Sequence, residues 1–459
     1  MKRLLLTLAV VAVAVTSCQK DVDVQNETDI SNTSSNVITI QEACDNLNKI
    51  LRCIDPQTRG AVRTIGEITP LPCDSYLNST TRTASMKSSE LLYLVNFEDN
   101  NGYAVLAANT QISPSVLFIT DSGSAEISDF ETIRTIDDAN GLSLDDLYYA
   151  LEDDYYLGAV DTNNNDLLLQ QTIINNVVNF RNDVSIDQWD DDTDSTPGVI
   201  RNCDVDPLVI TNWYQGHPFN SKFTVRDAND GDIVPAGCTT IATGQLLTCI
   251  ADRDLKSNFD IEGLTWGDIR SFHVEEGDTI GSTKKFNSGY LEKRVAVSQL
   301  IKTVADGIDV RYNYGIGKSK GTYGRPVKVV DYLESIGYKV EHKKNRNNIN
   351  VQIQEDINES LYKGYPVFVG ALGSFDGRWS GHAWLIDGCK YTENNDDWIC
   401  HINMGWGGRG NGWYMRNCFD STKAVNIEAN NYNEEISITL LALEDEFRYT
   451  WMFNIIIIE

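Results

Sequence analysis

The feature that most constrains this chain is a single cysteine placed where an apolar helix begins. A proline and a glycine interrupt regular structure in Val234-Pro235-Ala236-Gly237, and Cys238 follows directly. Apolar residues then recur at helical spacing at Ala242, Leu246 and Ile250. That period predicts an amphipathic helix with Cys238 in its first turn. Free N–H groups and the positive end of the helix dipole favour a thiolate there, as a cysteine nucleophile requires. The alternative is a small buried hydrophobe that opens a helix.

A thiolate nucleophile needs a histidine to exchange its proton, and the chain has 5 histidines. His382 stands between a glycine and an apolar, strand-like run. A second predicted strand, Trp398 to Met404, follows and ends in a glycine-rich turn. If the two strands pair antiparallel, Asn403 approaches the His382 ring and orients it through its side-chain oxygen. We interpret His401, two residues earlier, as structural or as a rim residue.

Three sequence blocks resemble the signatures of one family. They read Gly-Cys-Thr-Thr-Ile-Ala-Thr-Gly-Gln from Gly237, Gly-His-Ala-Trp-Leu-Ile-Asp-Gly from Gly381, and His-Ile-Asn-Met-Gly-Trp-Gly-Gly from His401. In this order they resemble the streptopain family, secreted bacterial cysteine peptidases with a papain-like fold that are made as zymogens. The segment Asn212 to Asn220 resembles the start of the mature enzyme, and the likeness covers about residues 205 to 420.

The resemblance implies a role for each of five residues. Cys238 attacks the scissile carbonyl, His382 carries the proton, and Asn403 orients the imidazole. Gln215 supplies the second oxyanion donor from its side chain, beside the backbone N–H of Cys238. Trp406 shields the ring pair from water.

The chain departs from the family pattern at one position near the histidine. Met404 stands where the family block has its first tryptophan. Methionine is more flexible than tryptophan and lacks the indole N–H. If that tryptophan supports the histidine, we expect reduced activity or altered specificity.

The N-terminus reads as an export signal. A basic start and an apolar run from Leu4 to Val15 have the length of a signal peptide, shorter than a membrane span. The run closes with Val-Thr-Ser-Cys, which resembles a bacterial lipobox and predicts lipidation of Cys18. An ordinary secretory signal is the alternative. Residues 19–36 are polar and acidic, and we interpret them as a flexible tether.

Residues 37–183 predict an α+β domain of their own. Leu91 to Phe97 and Gly102 to Ala108 read as a hairpin, Ser115 to Ile119 as a third strand, and Leu142 to Leu157 and Leu167 to Phe180 as helices. The pattern resembles the prodomain of the same peptidases, which is related to a small inhibitor protein. We expect an intramolecular inhibitor that covers the cleft until it is cut away; a plain structural or anchoring domain is the alternative.

The remaining chain divides into a linker and a second domain. Residues 184–204 are acidic and broken by Pro-Gly, so we expect processing in this linker. If a trypsin-like partner is involved, we expect the cut near Arg181, just before the linker, or near Arg201. Residues 205–459 predict an α+β, papain-like two-lobe domain, a helical lobe carrying Cys238 and an antiparallel β lobe carrying His382. Its predicted strands include Ile436 to Leu441.

The net charge and the number and spacing of the cysteines limit the kinds of partner and cofactor that we expect. The formal net charge of −28 argues against nucleic-acid binding and against a basic membrane patch, so a lipid anchor would have to hold the protein. The 10 cysteines allow disulfides in an exported protein, but the pairing stays open. No cysteine or histidine spacing is typical of zinc, and we expect no cofactor. We expect protein or peptide substrates and a location in the bacterial envelope or outside the cell.

The sequence therefore predicts a lipid-anchored zymogen of a cysteine endopeptidase. Two alternatives stay open: a catalytically silent inhibitor or binding relative, and a papain-like amidase acting on cell-wall peptides. The substrate, its subsite preference and self-processing are not readable from the residues.

Overall fold

The computed structural model describes most of the predicted folded regions. It covers residues 36–73, 91–131 apart from 111 and 113, 157–158, 170–171, 173–174, 178, 203–228, 231–254, 263–280, 282–314, 321–346, 349, 351–375, 378–391, 398–415 and 451–459. Cys18, residues 19–35 of the predicted tether, most of the linker, the strand predicted over 436–441 and nearly all of the helix predicted over 142–157 lie outside these residues.

The N-terminal region begins with a helix that the sequence analysis did not predict. Helix α1 spans Ile40–Thr58, and Thr39 and Glu42 close a capping box at its start. Strand β1 (Ile65–Leu71) follows and pairs antiparallel with the first strand of the predicted hairpin. Leu47, Leu51 and Ile54, at helical spacing, are fully buried, so one face of α1 belongs to the core.

The predicted hairpin and third strand are confirmed with small shifts. They are β2 (Leu92–Phe97), a 3-10 turn over Glu98–Asn100, β3 (Tyr103–Ala107) and β4 (Val116–Thr120). Asp99 and Asn100 have φ of 58°, a region that Asn and Asp tolerate in turns.

The second half of the chain is mixed helix and sheet. Its helices are α3 (Cys238–Asp254), α4 (Trp266–Arg270), α5 (Tyr290–Gly307), α6 (Pro326–Ser335) and α7 (Val351–Tyr362), and a short α2 (Ser128–Glu131) precedes them. The remaining strands are β5 (Leu157–Gly158), β6 (Asp204–Val205), β7 (Arg311–Tyr314), β8 (Gly321–Gly324), β9 (Val340–Arg346), β10 (Val367–Phe375), β11 (Arg378–Tyr391), β12 (Trp398–Asn403), β13 (Gly412–Met415) and β14 (Trp451–Ile458).

One sheet joins the two halves of the chain. Among the described residues it has 11 strands in the order β1-β2-β3-β4-β13-β12-β11-β10-β14-β9, with β6 beside β11. The junction is the antiparallel pair β4–β13, in which Ile119 lies opposite Trp413 and Phe118 opposite Tyr414. A second sheet has the order β5-β8-β7.

Where the structure describes the chain, the buried apolar residues form two clusters. One cluster combines residues of α1 and β2–β4 with residues of β10–β14, so the N-terminal region shares its core with the large sheet. The other surrounds α3 and α5 and includes Cys238, Trp213 and Leu385. Helix α3 therefore packs in a largely helical core against the face of the sheet that carries Leu385.

One disulfide fastens the start of the second half to the sheet. Cys203 pairs with Cys389 of β11 with the Cα atoms 5.7 Å apart, a pairing that the sequence analysis left open. Val205 of β6 lies opposite Cys389 in the sheet.

Candidate active site

Cys238 is the first residue of helix α3, as the sequence predicts. Gly237 before it has a φ of +88°, where a side chain would be strained, and a Cβ there would lie 3.0 Å from Thr322 Cγ2 of β8. Glycine is therefore needed to turn the chain into the helix. Cys238 itself is 2% exposed.

The thiol of Cys238 differs from the expected thiolate. Burial raises the pKa of the Cys238 thiol, while N–H groups of Ala383, Thr239 and Cys238 itself act in the opposite direction. The cost of burying a charge outweighs the stabilisation at the helix end. Burial in this structure therefore favours the neutral thiol over the predicted resting thiolate.

His382 lies on β11, beside the thiol. The Ala383 N–H, adjacent in sequence to His382, is close enough to hydrogen-bond the sulfur, so the strand brings the two residues together. The ring Nε2 lies 2.9 Å from the backbone oxygen of Met404. A carbonyl only accepts, so Nε2 carries the proton and Nδ1 remains the basic nitrogen of the neutral ring.

Aromatic rings enclose the imidazole. Trp406 stacks on it with 4.3 Å between ring centroids, and Trp384 lies 6.0 Å away on the same strand. Burial lowers the pKa of His382 to about 4, although the Met404 carbonyl favours the charged form. Within the described part of the chain the imidazole makes no hydrogen bond to the thiol. The resting site is therefore a neutral thiol beside a neutral imidazole.

Asn403 does not orient the imidazole directly in this structure. The strands pair antiparallel as predicted, but their register places Asn403 opposite Leu385 rather than His382. Its Oδ1 accepts from Gln245 Nε2 at 3.0 Å and from the Gly405 N–H at 3.1 Å. The predicted contact between the Asn403 oxygen and the ring is therefore wrong here, and the Met404 carbonyl takes its place.

The glycine-rich turn presents that carbonyl. Gly405, Gly407, Gly408 and Gly410 all have positive φ. A Cβ on Gly405 would lie 3.1 Å from Ile241 Cγ2 of α3, so the turn packs tightly on the nucleophile helix. The Met404 side chain is 1% exposed and faces the core. Methionine at this position therefore leaves the hydrogen-bond acceptor of His382 intact, because the main chain supplies it.

Gln215 lies close to the nucleophile. Its carbonyl accepts from the Ala236 N–H at 2.8 Å, two residues before Cys238. The side chain is 4% exposed, and its Oε1 is buried without a hydrogen-bond partner among the described residues. The position suits an oxyanion donor, and that role stays a prediction.

The other four histidines lie elsewhere. His401 is held between Asp387 at 2.6 Å and Asp121 at 2.8 Å, which fits its structural interpretation. His217 contacts Asp278 and Ser221, His342 contacts Asn454, and His273 is exposed. Only His382 is placed to serve Cys238.

Gln245 was missed by the sequence analysis as a site residue. It lies two helical turns after Cys238 on α3 and is fully buried. A buried glutamine on an apolar helix face is the signal that would have identified it, since buried amides are held by hydrogen bonds.

The described part of the chain has neither a cluster of metal ligands nor a helix that could span a membrane. No group of three or more His, Cys, Asp or Glu in that part of the chain is arranged to hold a metal ion. None of the described helices is long and apolar enough to cross a membrane.

Comparison with known proteins matches part of the chain to one family. Residues 213–414 match the model of the Peptidase C10 family. No curated protein sequence matches the chain. The solved structure of active wild-type interpain A cysteine protease from Prevotella intermedia is 18% identical, with a TM-score of 0.35 over 55% of this chain and 94% of that one. The resemblance read from the motifs is confirmed over residues 213–414, which match the peptidase C10 (streptopain) family and support a cysteine endopeptidase.

Proposed function

We propose that this chain is the zymogen of a C10 cysteine endopeptidase with a papain-like, two-lobe catalytic domain. Cys238 is the nucleophile, His382 is the general acid and base, and the N-terminal region keeps the precursor inactive. The observation that carries the proposal is the position of Cys238 at the start of α3 beside the strand that carries His382.

The chemistry follows from the protonation of the resting pair. As the sulfur attacks the scissile carbonyl carbon, its proton passes to His382 Nδ1, because Nε2 donates to Met404. The carbonyl electron pair moves onto oxygen, where the Cys238 N–H and the Gln215 amide donate to it. The proton on Nδ1 then goes to the departing amine and leaves an acyl-enzyme. Water attacks the thioester next, returning a carboxylic acid and the thiol.

A short strand of the N-terminal region supports inhibition. Strand β5 pairs antiparallel with β8, Leu157 opposite Gly324 and Gly158 opposite Tyr323. The same strand contacts α3, which carries Cys238, and β11, which carries His382. A substrate has to reach Cys238 on α3 and His382 on β11, and β5 contacts both of these elements. We infer that β5 blocks the cleft in this way.

The position of β8 explains why this edge belongs to the site. Thr322 Oγ1 donates to the Pro235 carbonyl at 2.6 Å, which ties β8 to the loop before Cys238. A Cβ on Gly324 would lie 2.7 Å from the Thr239 side chain, so the strand is in close contact with the first turn of α3. Displacing β5 would open the site to water, which raises the pKa of His382 and lowers that of Cys238. Activation therefore favours the thiolate–imidazolium pair.

The same region is also anchored to the large sheet. Its strand β4 extends the large sheet through β13, and Phe118 stacks on Tyr414 with 5.5 Å between centroids. Asp121, just after β4, lies 2.8 Å from His401 of β12. We propose that this contact holds the inhibitory region in register until the linker is cut.

Cleavage within the linker is compatible with the disulfide that attaches Cys203 to the large sheet. The Cys203–Cys389 disulfide and the β6–β11 pairing hold the chain that follows on the catalytic sheet. A cut near Arg181 or Arg201 would therefore free the N-terminal region without loosening the catalytic part. Sequencing the N-terminus of active material tests this; a start before Leu167 or beyond Trp213 contradicts it.

We further propose export and anchoring through lipidated Cys18, so that the peptidase works in the cell envelope or is released by processing. The substrates are proteins or peptides. Mass spectrometry of the membrane fraction checks the anchor: acylation of Cys18 supports it, and an unmodified N-terminus after Ser17 refutes it.

The experiment that tests the activity uses the chain from Gln19 onward with Cys238→Ala beside it. Cys249→Ala is the matched control, because it removes another thiol from the same helix. Under mild reduction we expect the parent and the control to trim to a fragment of about residues 205–459 and to react with an epoxide thiol label at Cys238. The Cys238→Ala chain should stay whole and unlabelled.

Other outcomes separate the alternatives. If only added trypsin releases thiol-dependent activity, the peptidase stands and self-processing is refuted. Trimmed material that neither hydrolyses peptides nor labels at Cys238 supports the silent relative. Cleavage of peptidoglycan fragments in preference to a peptide panel supports the amidase.

A further inference from the structure

A buried amide network connects three parts of the candidate site. Its centre is Gln245, which is fully buried two helical turns after the nucleophile. Its Oε1 accepts from the Trp213 N–H and from Thr211 Oγ1, each at 3.1 Å. Its Nε2 donates to Asn403 Oδ1 at 3.0 Å. The helix, the segment leading to Gln215 and the end of β12 therefore meet at one side chain.

The backbone partners fix which end of each amide faces which neighbour. The Trp213 N–H can only donate, so the Gln245 oxygen must face it and the nitrogen must face Asn403. The Gly405 N–H likewise requires the Asn403 oxygen, and the Thr211 carbonyl, 2.9 Å away, requires its nitrogen. Asn403 Oδ1 thus receives two donors, and neither amide can rotate without breaking several hydrogen bonds.

The link to catalysis runs through one peptide unit. The Gly405 N–H and the Met404 carbonyl belong to the same planar peptide and point in opposite directions. Asn403 holds the N–H end at 3.1 Å, and His382 Nε2 donates to the carbonyl end at 2.9 Å. Fixing the N–H end therefore fixes the acceptor that sets the tautomer and the plane of the imidazole.

We propose that Gln245 is a positioning residue of this peptidase, acting through Asn403 and the Met404–Gly405 peptide to orient His382 toward Cys238. The inference rests on the proposed function and deepens it. Gln245 touches no reacting atom. Gln245 links helix α3, which carries Cys238, to the Met404 carbonyl, which aligns His382. The positions of Cys238 and His382 relative to each other are therefore held by one side chain.

Gln245→Glu is the discriminating substitution. The carboxylate keeps the size of the side chain and still accepts from Trp213 and Thr211, but it cannot donate to Asn403. Asn403 Oδ1 then faces a negative oxygen, and the amide that holds the Gly405 N–H loses its support. The change therefore removes the hydrogen bond from Gln245 to Asn403, through which we propose that His382 is oriented. It keeps the hydrogen bonds that Gln245 accepts from Thr211 and Trp213.

The measurement uses the chain from Gln19 onward, with active sites counted by the epoxide label. We expect kcat per labelled site to fall about 10- to 100-fold, the scale for a misaligned catalytic group, with KM within about twofold. The pH at which Cys238 alkylation is half-maximal should rise in the processed enzyme, because a misaligned imidazole stabilises the thiolate less. A purely structural role would change neither quantity per labelled site.

The matched control is Thr248→Val on the same helix. Thr248 is also fully buried and donates to the Gly244 carbonyl at 2.7 Å, away from the site. The Thr248→Val variant should have a lower melting temperature, while its kcat per labelled site and its Cys238 alkylation profile stay at the parent values. If Gln245→Glu behaves in the same way, the positioning role is overturned.

Two further outcomes are decisive. Should Gln245→Glu fail to fold, Thr211→Val removes one donor to the Gln245 oxygen, and we expect a smaller fall in kcat of about threefold, from the ~0.5–1.5 kcal/mol of one hydrogen bond; an unchanged kcat overturns the proposal. A parent chain that never labels at Cys238 overturns the proposed function together with this role. A labelled parent with an unchanged glutamate variant overturns only the role of Gln245.

Discussion

The ion pairs of His401 predict a specific dependence of stability on pH. The residue is 3% exposed on β12, with Asp387 Oδ1 2.6 Å from Nδ1 and Asp121 Oδ2 2.8 Å from Nε2. Burial lowers its pKa, but the two carboxylates outweigh burial and raise the pKa of His401 to about 10. The imidazolium at neutral pH therefore joins the N-terminal region, through Asp121, to the sheet that carries His382.

The charged groups around this histidine come from several elements. Arg59, at the end of α1, lies 3.7 Å from Asp121, and Arg63 also acts on that carboxylate. Asp387 Oδ2 accepts from the Val209 N–H at 2.9 Å. Burial alone would raise the pKa of Asp121, but His401, Arg63 and Arg59 hold it below its usual range. Loss of the His401 proton therefore leaves this carboxylate without its imidazolium partner.

The sign and size of the change in unfolding free energy with pH follow from the difference between the folded and the unfolded pKa of His401. A histidine whose folded pKa lies above its unfolded value of about 6.5 stabilises the fold fully below that pH and ceases to do so above about 10. Between these limits His401 should cost the fold about 1.4 kcal/mol per pH unit, roughly 5 kcal/mol in all. Breaking a buried pair by removing one partner costs about 3–5 kcal/mol, which is the same scale.

The assay compares urea unfolding of the parent and of His401→Gln from pH 6.5 to 10, both with Cys238→Ala to prevent self-cleavage. The parent should lose stability steeply with rising pH, and the variant should start about 3–5 kcal/mol lower and lack that component. His342→Gln is the matched control, since His342 pairs with the neutral Asn454 amide at 2.9 Å. Parallel profiles for the parent and His401→Gln would refute the reasoning.

Three more predictions concern the site itself. Gly237→Ala should destabilise the chain by about 1–3 kcal/mol and lower activity, because the new Cβ is strained at a φ of +88° and meets Thr322; melting curves and kcat check this. Trp406→Leu should reduce kcat about threefold to tenfold through loss of its stack on His382, worth ~0.5–1.5 kcal/mol, and an unchanged kcat would contradict the shielding role. In the unprocessed chain Cys238 should react slowly with iodoacetamide at pH 7 and faster only above about pH 8.5, the ordinary thiol pKa, because burial raises the pKa of this thiol. The processed enzyme should react at lower pH. Equal pH profiles for the two forms would show that burial does not hold the thiol neutral.

Local signals in the sequence determined most of the elements that carry the site. The glycine before Cys238 and the apolar period after it are short-range features, and helix α3 begins where they predict. The apolar run after His382 and the glycine-rich turn likewise predicted two antiparallel strands and their end. The roles of these residues came from the resemblance to the family. The match over residues 213–414 confirms the resemblance, and the roles of the single residues stay predictions. The domain boundaries, the processing site and the lipid anchor stay predictions.

Tertiary structure decided what no short stretch encodes. The register of β11 against β12 places Asn403 opposite Leu385, and a shift of one residue would have turned that side chain to the other face. The protonation of Cys238 follows from burial by distant strands, which local helix geometry cannot reveal. Joining β4 to β13 brings Asp121 to a histidine 280 residues further along the chain. The sequence by itself therefore determined which side chains carry the chemistry, whereas long-range pairing and burial decided their partners, their charges and how the N-terminal region is attached.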